Sequence, residues 1–151
     1  MKNRCLAVIP ARGGSKRIPR KNIKNFSGKP VIQYSIDAAV QSGCFDEIMV
    51  STDDQEIAEI SLKYGAGVPF LRSKENSNDH AGLADVLLEV IGNYKKSGLK
   101  FDYTCCILPT APFVTPEKIL EGYGIISNSH DADSVISIVR FSYPIQRALK
   151  I

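Results

Sequence analysis

Residues 5–10, Cys-Leu-Ala-Val-Ile-Pro, constrain this chain more than any other stretch. Six apolar residues are enough for a buried strand and too few for a helix. The run ends at Pro10, and Ala11-Arg12-Gly13-Gly14-Ser15-Lys16 follows as a glycine-paired basic loop. Gly13 and Gly14 permit backbone angles closed to other residues, which would turn successive N–H groups toward one anion. Arg12, Lys16, Arg17, Arg20 and Lys21 add charge where phosphates would lie. This pattern predicts a polyphosphate cradle, although a solvated basic turn would carry similar charge.

Two familiar cradles do not fit. A Walker A loop closes on Gly-Lys-Ser/Thr, and here the Gly28-Lys29 pair is followed by Pro30. The Gly-x-Gly-x-x-Gly dinucleotide fingerprint is also missing.

The charge distribution supports a small polyanion as ligand. Residues 1–36 hold nine Lys and Arg and no acid; residues 37–151 hold ten bases and sixteen acids, a net of −6. A nucleic-acid binder can have such a basic end. However, Phe26 and Tyr34 are the only aromatics in the first segment, too few for a base-stacking platform. The 151 residues suffice for one domain with a real core, with 44% apolar and 23% charged residues. No stretch suits a membrane span, and the N-terminus does not read as a signal peptide, so a cytoplasmic protein is expected. Cys5, Cys44, Cys105 and Cys106 lack CxxC spacing and read as reduced thiols.

Along the chain, helical spacing is expected over 30–43, 55–64, 81–94 and 116–127. Strands are expected over 47–51, 68–71, 103–108 and 134–139. Asp53 or Asp54 would cap the second helix. Strand alternating with helix predicts an α/β fold, a mostly parallel sheet with helices on both faces. Ligands of such sheets sit beyond the carboxyl ends of the strands. The loops there carry ARGGSK, STDD, Arg72 with the polar run 73–80, and PTAP, so four suggestive segments share one rim.

The stretch VIPARGGSKRIPRKNIKNFSGKPVIQYSI resembles the opening motif of the cytidylyltransferases that activate sialic and related nonulosonic acids as CMP-sugars. VSTDD, VPFLR, PTAPF and YPIQRAL extend the likeness over residues 4–149, most strongly toward the pseudaminic acid cytidylyltransferases. The resemblance implies a Rossmann-like nucleotidyltransferase fold of the nucleotide-diphospho-sugar transferase type. The implied reaction transfers CMP from CTP to the anomeric hydroxyl of the sugar, with release of pyrophosphate.

Arg12, Lys16 and Lys21 would then be catalytic. Ala11, Gly13, Gly14, Ser15, Asn22, Arg72 and Thr110 would join them around the nucleotide. Arg72 also reads as a surface partner for Glu75. At the sugar end, Leu108 stands where sialic-acid members carry Gln, which points to a different sugar. Leu108, Thr110, Gln146 and Arg147 are the sugar-binding candidates, and a sialic or legionaminic acid remains the alternative acceptor. The family also implies Mg2+, held by acids farther along than residue 151, and a homodimer formed largely through a distal segment. This chain therefore reads as one domain, residues 1–151, lacking that segment. A non-catalytic CTP-binding fragment is the other expectation.

Overall fold

A computed structural model describes residues 3–140. The run Cys5–Pro10 forms β1, and alternate residues of it point to opposite faces, as a strand requires. Ala7 and Ile9 enter a cluster with Ile32, Ile36, Val50 and Ile57; Leu6 and Val8 enter a second with Met49, Val90 and Tyr94. Both faces of β1 are therefore buried, which is why the segment is continuously apolar. Each large side chain removed from water there contributes roughly 1.5–3 kcal/mol.

Glu47–Ser51 forms β4, paired in parallel with β1 from Leu6 opposite Glu47 to Pro10 opposite Ser51. Tyr103–Cys106 forms β5 on the other side of β1, from Cys5 opposite Tyr103 to Val8 opposite Cys106. The order is thus β4-β1-β5, with β1 in the centre. Between β1 and β5 the chain reverses its direction of winding, the switch point at which open α/β sheets bind ligands.

Among the described residues, four α-helices cover this sheet. Helix α1 spans Val31–Ser42 and stops where Gly43 adopts φ 63°, a left-handed cap that favours glycine. Asp54 caps α2 (Gln55–Lys63) by accepting from the Ile57 N–H at 3.0 Å, so the cap falls to Asp54 and not Asp53. Helix α3 spans Leu83–Lys96 and supplies Val90 and Tyr94 to the second cluster. Helix α4 runs from Pro116 to Asn128, with Thr115 as its cap. The sheet carries helices on both faces, as expected. The four cysteines are free thiols, and burial pushes Cys105 up to about 11.

Three features differ from the sequence expectations. Residues 68–71 form no strand: Gly67 makes a single bridge to Met49, and Pro69, lacking an N–H, cannot extend a ladder. Residues 134–139 also form none: they pair with neither outer strand of the sheet, and Ile136, Ile138 and Val139 are exposed, since an alternating apolar composition does not by itself secure a pairing. A small hairpin not foreseen joins β2 (Asn25–Phe26) to β3 (Lys29–Pro30). Ser27 (φ 50°) and Gly28 (φ 95°) make its tight turn, for which Ser-Gly was the available signal.

Candidate nucleotide site

The loop after β1 is fixed from beneath by the loop after β4. The Ala11 N–H donates to the Ser51 carbonyl at 2.9 Å, and the Gly13 N–H donates to Asp53 Oδ1 at 2.9 Å. The Ser15 N–H turns back to the Gly13 carbonyl at 2.9 Å, while Asn22 Nδ2 donates to the Arg12 carbonyl at 2.9 Å. Three of the loop amides are thus already spent, and the expected nest of N–H groups does not form. Asp53 supplies an anion of the protein's own to Gly13, so what the loop presents to the cleft is chiefly side chains.

The reason for glycine also differs from the expectation. Neither Gly13 nor Gly14 is left-handed. A Cβ on Gly13 would lie 2.6 Å from Asp54 Oδ2 and 2.9 Å from Asp54 Cβ, whereas one on Gly14 would meet nothing within 4 Å. Close approach therefore demands glycine at position 13 alone. Arg20 is instead the left-handed residue of the loop, at φ 53°. Its guanidinium pairs with Asp54, at 2.9 Å from Nη2 to Oδ1, and with Glu56. It serves as a brace and adds no charge to the cleft. In turn, Arg20 holds the Asp54 carboxyl below the usual carboxylate range.

Above the carboxyl ends of β1 and β5 lies a cleft of about 780 Å³. The first loop contributes Arg12, Ser15, Lys16 and Lys21, and Asn22 and Arg72 form further parts of the wall. Leu108 and Thr110 reach it from the turn after β5, with Leu108 fixed by the Ser35 hydroxyl, which donates to its carbonyl at 2.8 Å. Eight of the sequence candidates thus meet in one place. Ala11, Gly13 and Gly14 lie outside the lining, Ala11 being fully buried. Gln146 and Arg147 lie outside the described residues.

Arg72 is only 9% exposed, and it does not pair with Glu75. Its Nε donates to Ser51 Oγ at 3.0 Å and its Nη2 to the Ser51 carbonyl. Burial lowers its pKa from the ordinary arginine value, because a desolvated guanidinium lacks a full counter-charge here. Asn22 is 4% exposed, and its Oδ1 is buried without a hydrogen-bond partner. An orphaned acceptor at a cleft wall is suited to a ligand donor.

Arg12, Lys16, Arg17, Lys21 and Arg72 face the cleft, with Asp79 as the single described acid. Asp79 Oδ1 lies 2.8 Å from Arg12 Nη1, and its other oxygen pairs with Lys16. Sequence reasoning missed both Asp79 and the clamp made by Asp53, because nothing local separates them from ordinary loop acids. Among the described residues no group of three or more His, Cys, Asp or Glu is placed to hold a metal. Asp54 is held by Arg20 and Asp53 accepts from Gly13 with one oxygen, so both serve as braces of the first loop and form no such group.

A parallel α/β sheet whose switch-point cleft gathers five cations defines a protein of the nucleotide- or phosphate-binding class. The family follows from comparison: a model described as "Cytidylyltransferase" matches residues 6–142, and the chain belongs to that family. It is 46% identical to the pseudaminic acid cytidylyltransferase of Campylobacter jejuni over 98% of this chain and 62% of that protein. It is 44% identical to the CMP-N,N'-diacetyllegionaminic acid synthase of Legionella pneumophila, over 77% of this chain and 50% of that one. The chain thus spans less than two thirds of the length of these relatives.

Among solved structures, a CMP:2-keto-3-deoxy-manno-octonic acid synthetase complexed with CTP superposes with a TM-score of 0.68 at 27% identity. That match covers 83% of this chain and 48% of the other. A 4-diphosphocytidyl-2C-methyl-D-erythritol synthase gives 0.65 at 12% identity, over 85% of this chain and 57% of the other, a likeness of fold alone. The nucleotidyltransferase fold expected from the sequence is the fold observed.

Proposed function

We propose that this chain carries the CTP-gripping part of an enzyme that transfers CMP to the anomeric hydroxyl of a nonulosonic acid, with pseudaminic acid as the preferred acceptor. The observation that carries this reading is the convergence of Arg12, Lys16, Lys21 and Arg72 on one cleft at the switch point. The sugar hydroxyl oxygen attacks the α-phosphorus, the bond to the bridging oxygen breaks, and pyrophosphate leaves with that electron pair. The hydroxyl proton passes to solvent or to a general base.

In this scheme Arg12, Lys16 and Lys21 stabilise charge on the departing phosphates. Ser15 adds a hydroxyl donor beside them. Asn22 Oδ1 and Arg72 address the nucleoside, where an orphaned acceptor and a buried guanidinium offer complementary contacts. Leu108 and Thr110 border the acceptor, and Leu108 supplies an apolar contact in place of an amide. Gln146 and Arg147 are proposed for the sugar end, Arg147 for its carboxylate. Mg2+ use is part of the proposal, and when bound the ion would neutralise phosphate charge. Among the described residues no group of three or more acids, histidines or cysteines would hold it. A homodimer and a cytoplasmic location are proposed with it; among the described residues no helix is long and apolar enough to cross a membrane.

A second reading keeps CTP and changes the acceptor to legionaminic or sialic acid, supported by the 44% identity to the Legionella relative. Pyrophosphate release measured with CTP, Mg2+ and each sugar separates the two. Preference for pseudaminic acid supports the first reading; preference for another acid refutes it. Titration with CTP, ATP and short RNA tests the class. CTP-selective binding is expected, and salt-sensitive binding of any RNA without nucleotide selectivity would contradict it.

A further inference from the structure

Asp79 stands apart from every other acid of the chain in what it touches. It sits in the polar loop ahead of α3 and reaches across to two cations of the first loop, Arg12 and Lys16. Its own loop is braced independently. Glu89 accepts from the Ser73 N–H at 2.8 Å, from Ser73 Oγ at 2.9 Å and from the Asn76 amide. Asn78 Oδ1 accepts from the N–H groups of His80 and Ala81, at 2.7 and 2.9 Å. The loop therefore does not need the Asp79 carboxylate to hold its shape.

The two cations that Asp79 neutralises are two of the three that a triphosphate tail would use. A carboxylate and a phosphate cannot hold the same guanidinium and ammonium groups without mutual repulsion. We propose that Asp79 is a specificity-determining residue, a resident anion that competes with ligand phosphates for Arg12 and Lys16 and admits those with enough charge to displace it. This rests on reading the cleft as a triphosphate site. The side chain of Asp79 is 36% exposed, so the displaced carboxylate has water to move into. After reaction, its return to Arg12 and Lys16 would favour departure of pyrophosphate.

The competition has a direction that a purely structural role lacks. Ligands that use Arg12 and Lys16 bind more weakly because of Asp79, while cytidine, which has no phosphate, is indifferent to it. The test titrates the protein and its Asp79→Asn variant with pyrophosphate, CTP and cytidine by calorimetry at one ionic strength, with thermal unfolding as a check on folding. Pyrophosphate and CTP should bind about two- to fivefold tighter to Asp79→Asn, the range of solvent-screened ion pairs such as the two that Asp79 makes, with cytidine unchanged. In a Lys16→Gln background the gain for pyrophosphate should shrink. Equal or weaker pyrophosphate binding by Asp79→Asn would overturn the proposal, as would an equal gain for cytidine. If the unaltered protein bound neither CTP nor pyrophosphate, the reading of the cleft would fall, and this inference with it.

Discussion

The Gly13 amide lies 2.9 Å from Asp53 Oδ1, so the turn after the first strand is pinned by the turn after the fourth. The neighbouring Asp54 fills the space that a Gly13 side chain would need and holds Arg20 at the far end of the same loop. Two consecutive acids thereby fix both ends of the segment that presents Arg12 and Lys16.

Gly13→Ala should therefore disrupt the loop, whereas Gly14→Ala should not. The added methyl would clash with Asp54, and overpacking of this kind costs about 1–3 kcal/mol. CTP affinity should fall at least about tenfold for Gly13→Ala, the equivalent of about 1.4 kcal/mol, and stay near its original value for Gly14→Ala. Thermal unfolding and titration of both variants check this pair; equal behaviour would refute the steric argument.

Asp54 has two tasks that substitution can separate. Asp54→Ala removes the α2 cap and should cost about 1–2 kcal/mol in denaturant unfolding. Asp54→Asn keeps a capping oxygen, loses the charge facing Arg20, and should cost less. The pH dependence has a definite sign. The folded carboxyl titrates below the unfolded value of about 3.9, so its contribution is present above about pH 4 and lost as pH falls through the folded value. As pH falls below about 4, the stability of Asp54→Asn should decline less steeply than that of the unaltered protein.

Much of this architecture is legible in the residues, for physical reasons. The strands Cys5–Pro10 and Glu47–Ser51 are bounded as expected because Pro10 and the Thr52-Asp53 pair stop continuous apolar runs. The helix after Pro30 ends where Gly43 allows it to end. The strand over 68–71 was not legible as absent, since apolar composition signals burial but not whether a neighbour offers a hydrogen-bonding edge. At the site, clustering of Arg12, Lys16, Lys21 and Arg72 follows from strand order. Sequence does not reveal which cations are already spent, and Arg20 and Lys16 look alike until Asp54 and Asp79 come into place.

Arg72 gives a prediction about arginine chemistry in particular. Its guanidinium contacts Ser51 through two different nitrogens, a fork that lysine cannot reproduce. Arg72→Lys should lower CTP affinity about tenfold or more, on the scale of one charged hydrogen bond. Titration with CTP checks it; unchanged affinity would move the nucleoside contact elsewhere.

Calorimetric titration of CTP into the protein, Arg12→Ala and Lys21→Ala tests most directly whether the cationic loop grips the phosphates of CTP. Saturable binding should weaken about 10- to 100-fold in each variant, with thermal unfolding unchanged. CTP affinity equal to that of the unaltered protein in both variants would contradict it.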